Sequence, residues 1–203
     1  MNYTINRQES YSRAQLLLRT LLGWAYILIP HYFVVLVYSI GAMFYGVYTF
    51  FSILFTRSFP KSAHDFFVDY TNYGMRVVAT YYNLREEYPS FSLSERSEEV
   101  YFDMPYKPIV KRRTLLIRMI FGVIMLIPHL VVIYFRLIGV IIVNFIAFWA
   151  ILFTKKYPEG MFNFVVESFR YFQRVGNWTR FFTTDYPPFH GRIIENENAD
   201  RLD

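Results

Sequence analysis

The chain has no cysteine, which excludes disulfides and thiolate metal sites but does not identify a compartment. Charge is almost missing from two long stretches. Tyrosine aside, only Arg19 and His31 can ionise between Leu16 and Thr56, and only Arg118, His129 and Arg136 between Thr114 and Thr154. Nucleophile elbows, phosphate-binding glycine loops and zinc-binding His-Glu pairs are also lacking. Glu86 and Glu87 are neighbours at a helix end and make no acid–base pair. The expectation is therefore a protein that is not an enzyme and carries no cofactor.

What fills the space is hydrophobic and aromatic. Of 203 residues, 54% are hydrophobic and 21% aromatic, against about 45–50% apolar in soluble chains. Apolar runs longer than about 18 residues with so few charges read as membrane segments. No small-residue cleavage site interrupts the first run, so it is expected to act as an uncleaved anchor. The formal net charge of +5 does not imply nucleic acid, because Lys and Arg cluster beside the apolar blocks, where anionic lipid is the simpler partner.

The chain repeats itself. Laid so that Ile29 covers Ile127, the segments ending at Phe91 and Phe189 align without a gap. IPH at Ile29 recurs at Ile127, LFT at Leu54 recurs at Leu152, and EYPSF at Glu87 is answered by DYPPF at Asp185. Gly41 matches Gly139, Tyr73 matches Tyr171, and Arg76 matches Arg174. One residue further out of register, Arg19 matches Arg118. Register kept through polar segments indicates a tandem duplication.

Residues 1–91 form the first unit, with an apolar hairpin over 14–56 and an amphipathic helix over 62–84. A polar linker occupies 92–99. The second unit spans 100–189, with a hairpin over 113–154 and an amphipathic helix over 160–183. Residues 190–203 form a polar tail with little to bury. NYTIN at Asn2 and VYFDM at Val100 have weak strand character.

Each block is expected to fold as a hairpin. One helix over Leu16–Thr56 would be roughly 60 Å long, twice the ~30 Å hydrocarbon thickness. Basic residues flank both blocks at both ends, and positive flanks favour the cytoplasm. Two crossings per block satisfy this, giving four transmembrane helices with both termini cytoplasmic. The turn falls at Gly41 and Gly139, or at the Pro-His pairs as shallow re-entrant segments. A glycine turn would place Arg136 at the far interface, where it can snorkel. The fold class is thus all-α integral membrane: two tandem hairpin repeats, each followed by an interfacial amphipathic helix, with short cytoplasmic strands.

The amphipathic helices carry thin polar stripes. Asp69 and Arg76 lie in the first, with Glu167, Arg170 and Arg174 in the second; the simplest reading is a solvated edge with helix-spaced charge pairs. Facing stripes that form a polar seam or lipid-headgroup site are the sharper alternative.

IPH, then LFTKKYPEGMFNFVVESFRY, then TTDYPPF together resemble an uncharacterised bacterial membrane-protein family, the domain of unknown function numbered four-three-eight-nine. Lys111–Phe189 match closely. Arg13–Phe91 match loosely, with Phe59, Ser62 and Ser90 in place of the family's Tyr, Gly and second Pro. The resemblance implies a membrane location and this repeat but no reaction or ligand; the expected location is the bacterial inner (cytoplasmic) membrane.

Four intramembrane polar residues are candidates for function. His31 and His129 follow the prolines in equivalent places and could bind metal or haem, relay protons, or satisfy carbonyls freed by proline. Arg136 and Asn144 have only Tyr38 and Gly46 as counterparts, which hints at a role particular to the second unit. The expected function is a non-catalytic scaffold or accessory subunit. Its partners would be other membrane-protein subunits and anionic lipids, with room for a homo-oligomer. A small oligomeric transporter or channel is one alternative, and histidine-based metal or haem binding is another.

Overall fold

The computed structural model describes residues 1–194. Asn2–Ile5 (β1) leads into a long helix made of α1 (Arg13–Gly23), a π-helical turn at Trp24–Leu28, and α2 (Ile29–Thr56). Helix α3 (Lys61–Tyr81) doubles back. The same order follows with β2 (Val100–Asp103), the long helix α4 (Arg112–Thr154) and α5 (Glu159–Thr179).

The expected hairpins do not form. Each apolar block is one unbroken helix, Arg13–Thr56 over 44 residues and Arg112–Thr154 over 43. Among the described residues there are two long helices apolar enough to cross a membrane, where four spans were expected. Gly41 and Gly139 do not turn the chain, since no glycine has a positive φ. They make room for aromatic rings instead. A Cβ on Gly41 would lie 3.1 Å from Phe66 Cζ, and one on Gly139 would lie 2.9 Å from Phe164 Cζ.

Gly139→Ala should lose about 1 kcal/mol through overpacking. Gly46→Ala, with nothing within 4 Å, should be neutral or gain up to about 1 kcal/mol from helix propensity. Denaturant unfolding in micelles would check this, and equal responses would contradict it.

The prolines are absorbed within the helices. Ahead of Pro30 the chain loosens into the π turn, with Ile29 N–H donating to Trp24 O, a known way to accommodate a missing donor. Pro128 sits inside α4 without ending it.

The repeated LFT-basic-Pro stops are corners of identical build. Arg57 and Lys155 take left-handed conformations, φ 60 and 59. Their N–H groups donate to Ile53 O and Ile151 O, closing each helix in the αL manner. Thr56 and Thr154 hydroxyls each donate to the carbonyl four residues back, both at 2.7 Å. Pro60 and Pro158 then precede α3 and α5. Arginines from the start of the other long helix cover the last carbonyls. Arg13 donates to Leu152 O and Phe153 O, and Arg112 to Phe55 O, as the negative end of a helix favours. The two long helices therefore run antiparallel, the beginning of each against the end of the other.

Helices α3 and α5 lie side by side and antiparallel, joined by Phe67 against Phe182, Tyr82 against Phe169, and Gln173 donating to Thr71. They stop earlier than the sequence suggested because Asn83 (φ 57) and Phe181 (φ 64) reverse the chain. The strands pair antiparallel, Tyr3 opposite Phe102. Their inward residues Tyr3, Ile5, Val100 and Phe102 are buried.

The ribbon covers one side of α3, where His64 and Asn72 bond to Met104 O and Phe102. The long helix covers the other side, where Phe66, Tyr70 and Tyr73 meet Tyr45, Ser39 and His31. The layers are thus ribbon, short helix pair, long helix pair. The core lies between the last two, around Leu16, Ile53, Leu115, Val140, Ala147 and Ile151.

Candidate functional site

The two histidines each occupy an aromatic cage. His31 and His129 are 1% and 0% exposed. Helical spacing turns them toward α3 and α5, away from the large apolar side chains on the outer face. His31 Nδ1 lies 2.5 Å from Tyr73 OH, and His129 Nδ1 lies 2.7 Å from Tyr171 OH. The imidazoles stack on Phe91 (centroids 4.5 Å, 8° between planes) and Phe189 (4.4 Å, 16°). Tyr88 and Tyr186 close the sides at 5.5 and 4.7 Å.

Each cage thus joins the Pro-His element of a long helix to the Tyr-Pro-x-Phe element that follows the short helix. The second tyrosine of each set repairs the proline's damage. Tyr88 OH donates to Tyr26 O at 3.0 Å, four residues before Pro30, and Tyr186 OH donates to Met125 O at 2.8 Å, three before Pro128. The sequence pointed to histidine for that repair; tyrosine makes it.

Among the described residues, Nε2 in both cages is buried without a hydrogen-bond partner. A buried imidazole nitrogen left unpaired is unusual. It could serve as a single neutral nitrogen ligand. Among the described residues no group of three His, Cys, Asp or Glu side chains could hold a metal ion. Each histidine is ringed by residues of its own half.

Burial pushes Tyr73 and Tyr171 up to about 12, with neighbouring tyrosines adding to the rise at Tyr73 and the nearby Arg136 opposing it at Tyr171. Their contribution to stability is complete below the ordinary tyrosine value near 10 and is lost as pH rises through about 12. Alkaline titration followed by tyrosinate absorbance should show a late class of hydroxyls that ionises together with unfolding. Ionisation of all tyrosines near the ordinary value, with the fold intact, would contradict this.

Arg136 does not snorkel to a far interface. It bends onto α5, 5.4 Å over the Tyr171 ring and 3.2 Å from Ser168 Oγ. In the first half Tyr38 meets Tyr73 edge-on at 5.9 Å. The exchange replaces an aromatic edge by a cation over a ring. Asn144, half-buried on α4, leaves Oδ1 unpartnered.

The polar stripes are mostly not a solvated edge, nor do they face each other. Arg76, Arg170 and Arg174 are buried. Arg76 donates to Ser92 O and Glu95 O of the linker. Arg174 donates to His190 O and Arg192 O, and Arg170 to Tyr3 O and Gly191 O. A guanidinium offers five donors in a fixed fork, which suits irregular chain whose carbonyls lack a ladder. Asp69 pairs with Arg96 of the linker at 2.5 Å, and half-buried Glu167 turns its carbonyl to Gly191. The beginning of the polar tail is therefore docked: Gly191 is buried, and a Cβ there would fall 1.6 Å from Glu167 O. The rest of the expected tail, from 195, lies outside the described residues.

The cage tyrosines and phenylalanines, with Arg19 and Arg118, were missing from the sequence-based candidates. All are members of identical pairs, at the repeat spacing or, for Arg19 and Arg118, one residue beyond it, and that signal was available. Arg19 donates to Arg85 O at 2.6 Å and pairs with Glu86 at 3.2 Å. Arg118 donates to Trp178 O and Thr183 O.

No curated protein and no solved structure shows detectable similarity to the chain. The family resemblance read from the motifs does hold for the second half, where α4, α5 and the His129 cage lie. Residues 112–190 match the family described as Domain of unknown function (DUF4389).

Proposed function

We propose that the protein is a non-catalytic membrane scaffold or accessory subunit, built from two duplicated units, which binds other membrane-protein subunits and anionic lipids. One observation carries the reading. Large apolar side chains along both long helices, including Leu21, Phe33, Phe44, Val123, Phe135 and Phe153, are more than half exposed. Soluble monomers rarely present contiguous apolar patches beyond a few hundred Å², so this surface requires lipid or protein against it. The polar residues of the same helices turn inward and are used to hold the fold. Exposed Lys and Arg at the helix ends suit anionic headgroups and the cytoplasmic face of a bacterial inner membrane, with both chain ends and the connector on that face.

Purification in mild detergent tests the scaffold role. A stoichiometric protein or lipid partner is expected to accompany the chain. A monodisperse monomer that retains neither would overturn it.

The open Nε2 atoms favour a second reading, a small ligand or metal at the cages. Elemental analysis and visible absorbance of the purified protein would reveal it, and clean spectra with no bound metal would remove it.

A further inference from the structure

We propose that the two long helices lie flat in one leaflet of an anionic bilayer, with their outer faces in the acyl chains and the α3–α5 layer and ribbon above the headgroups. The proposal deepens the membrane reading above and rests on it. It differs from a spanning arrangement in ways the molecule itself distinguishes.

Length is the first. Exposed apolar side chains run without interruption from Leu17 to Phe55 and from Leu116 to Phe153. At ~1.5 Å per residue each stripe is roughly 57 Å long, against ~30 Å of hydrocarbon. A helix standing upright would leave nearly half of its stripe in water. A helix lying down immerses all of it.

One-sidedness is the second. The opposite stripe of the same helices is buried and includes Arg19, His31, Thr49, Arg118 and His129. Large apolar groups outside and polar groups inside, toward a water-side layer, is the pattern of a helix in the interface plane. A spanning helix has no need to keep one fixed face toward water along its whole length.

The third is the position of charge on the covering layer. Helix α3 follows the first long helix from Tyr45, which stacks on Phe66, to Gly23, beside Tyr81. Ion pairs accompany it throughout: Lys61–Asp65 at its start, Asp69–Arg96 along its length, and Arg85–Glu99 beyond its end. Upright, some of these charges would enter hydrocarbon, where each costs several kcal/mol. Laid flat, all stay on the water side.

The ends supply the charge complementarity. Lys111, Arg113, Lys155 and Lys156 are exposed where the apolar stripes begin and stop, with Arg57 at the corner after α2. This cationic rim sits at headgroup level beside the immersed face and is suited to anionic lipid.

Because the chain has no cysteine, single-cysteine variants can report depth. Leu22→Cys, Val37→Cys and Val47→Cys on the first helix, with Val123→Cys and Ile146→Cys on the second, all replace outward side chains. Each is labelled with an environment-sensitive fluorophore and reconstituted in phosphatidylglycerol–phosphatidylcholine vesicles, with circular dichroism to verify the helices. Quenchers are then placed at successive depths on the lipid chains. All five labels should report one shallow depth, roughly 5–10 Å below the headgroups. A graded series, with middle labels at the bilayer centre and end labels at opposite surfaces, would overturn the in-plane arrangement and leave the membrane reading standing. Labels that no lipid-borne quencher reaches would overturn both.

Discussion

Arg118→Ala is expected to lower unfolding stability by about 3 kcal/mol or more, since hydrogen bonds from a charged donor contribute about 1.5–3 kcal/mol each. The guanidinium donates to Trp178 O at 2.6 Å and to Thr183 O at 2.7 Å. It also lies 4.4 Å over the Trp178 ring and 5.0 Å over Phe181. Those groups form the reversal after α5, where Phe181 takes φ 64. Losing the side chain removes a donor from the buried carbonyl of Trp178 and another from the half-buried one of Thr183, leaves a hole beside Trp178 and frees the segment that brings Tyr186 and Phe189 to His129.

Arg118→Met separates these effects by keeping the stem without the donors. Denaturant unfolding in micelles should rank wild type above Met and Met above Ala. Trypsin should cleave after Arg180 faster in both variants. Alanine and methionine variants within about 0.5 kcal/mol of wild type, the range of an uninvolved surface site, would show that the reversal holds without Arg118. Arg19→Ala should behave alike in the first half, since Arg19 meets the chain after α3 at Arg85 O and Glu86.

The second large effect concerns the cages. Tyr171→Phe removes one oxygen from a fully buried ring and leaves His129 Nδ1 without its 2.7 Å partner. Nε2 already lacks one among the described residues, so both nitrogens would be unpaired in a buried site. An unsatisfied buried polar group costs about 1–3 kcal/mol. His129→Phe tests the converse, and the double variant His129→Phe/Tyr171→Phe should cost less than the sum of the two, by about 1 kcal/mol or more in a double-mutant cycle. Strict additivity would mean that the hydrogen bond contributes nothing to stability. Running the cycle at His31 and Tyr73 asks whether the two cages are equally strong.

Both predictions concern residues the sequence marked only as repeats. Identical pairs at fixed spacing made His31 and His129 visible, because imidazole is conspicuous among aliphatic neighbours. Tyr73, Tyr171, Phe91 and Phe189 were in the same register but hidden among many aromatics, and nothing in a linear pattern says which ring will stack on which. Arg76, Arg170 and Arg174 are visible in the sequence, but their burial is not. A charged stripe on a helix ordinarily faces water; here the ribbon, linker and start of the tail fold over it, and their unpaired carbonyls draw the guanidiniums in.

The length of each apolar block is likewise used otherwise than expected. Two crossings per block followed from comparing a roughly 60 Å helix with a ~30 Å slab, which assumes that a long apolar helix must cross. Glycine looked like a turn, yet Gly41 and Gly139 stay helical to let Phe66 and Phe164 approach.

The amino-acid order alone determined the apolar blocks, their basic ends, the repeated corners and the weak strand character at Asn2 and Val100, because hydrophobic period, charge and capping chemistry act over a few residues. Tertiary structure decided whether each block turns or runs on, which side of it faces away from protein, and which partner each buried arginine and histidine finds. Those outcomes depend on contacts between segments far apart in the chain, where α3 and α5 cover the polar side of each long helix and leave the apolar side bare.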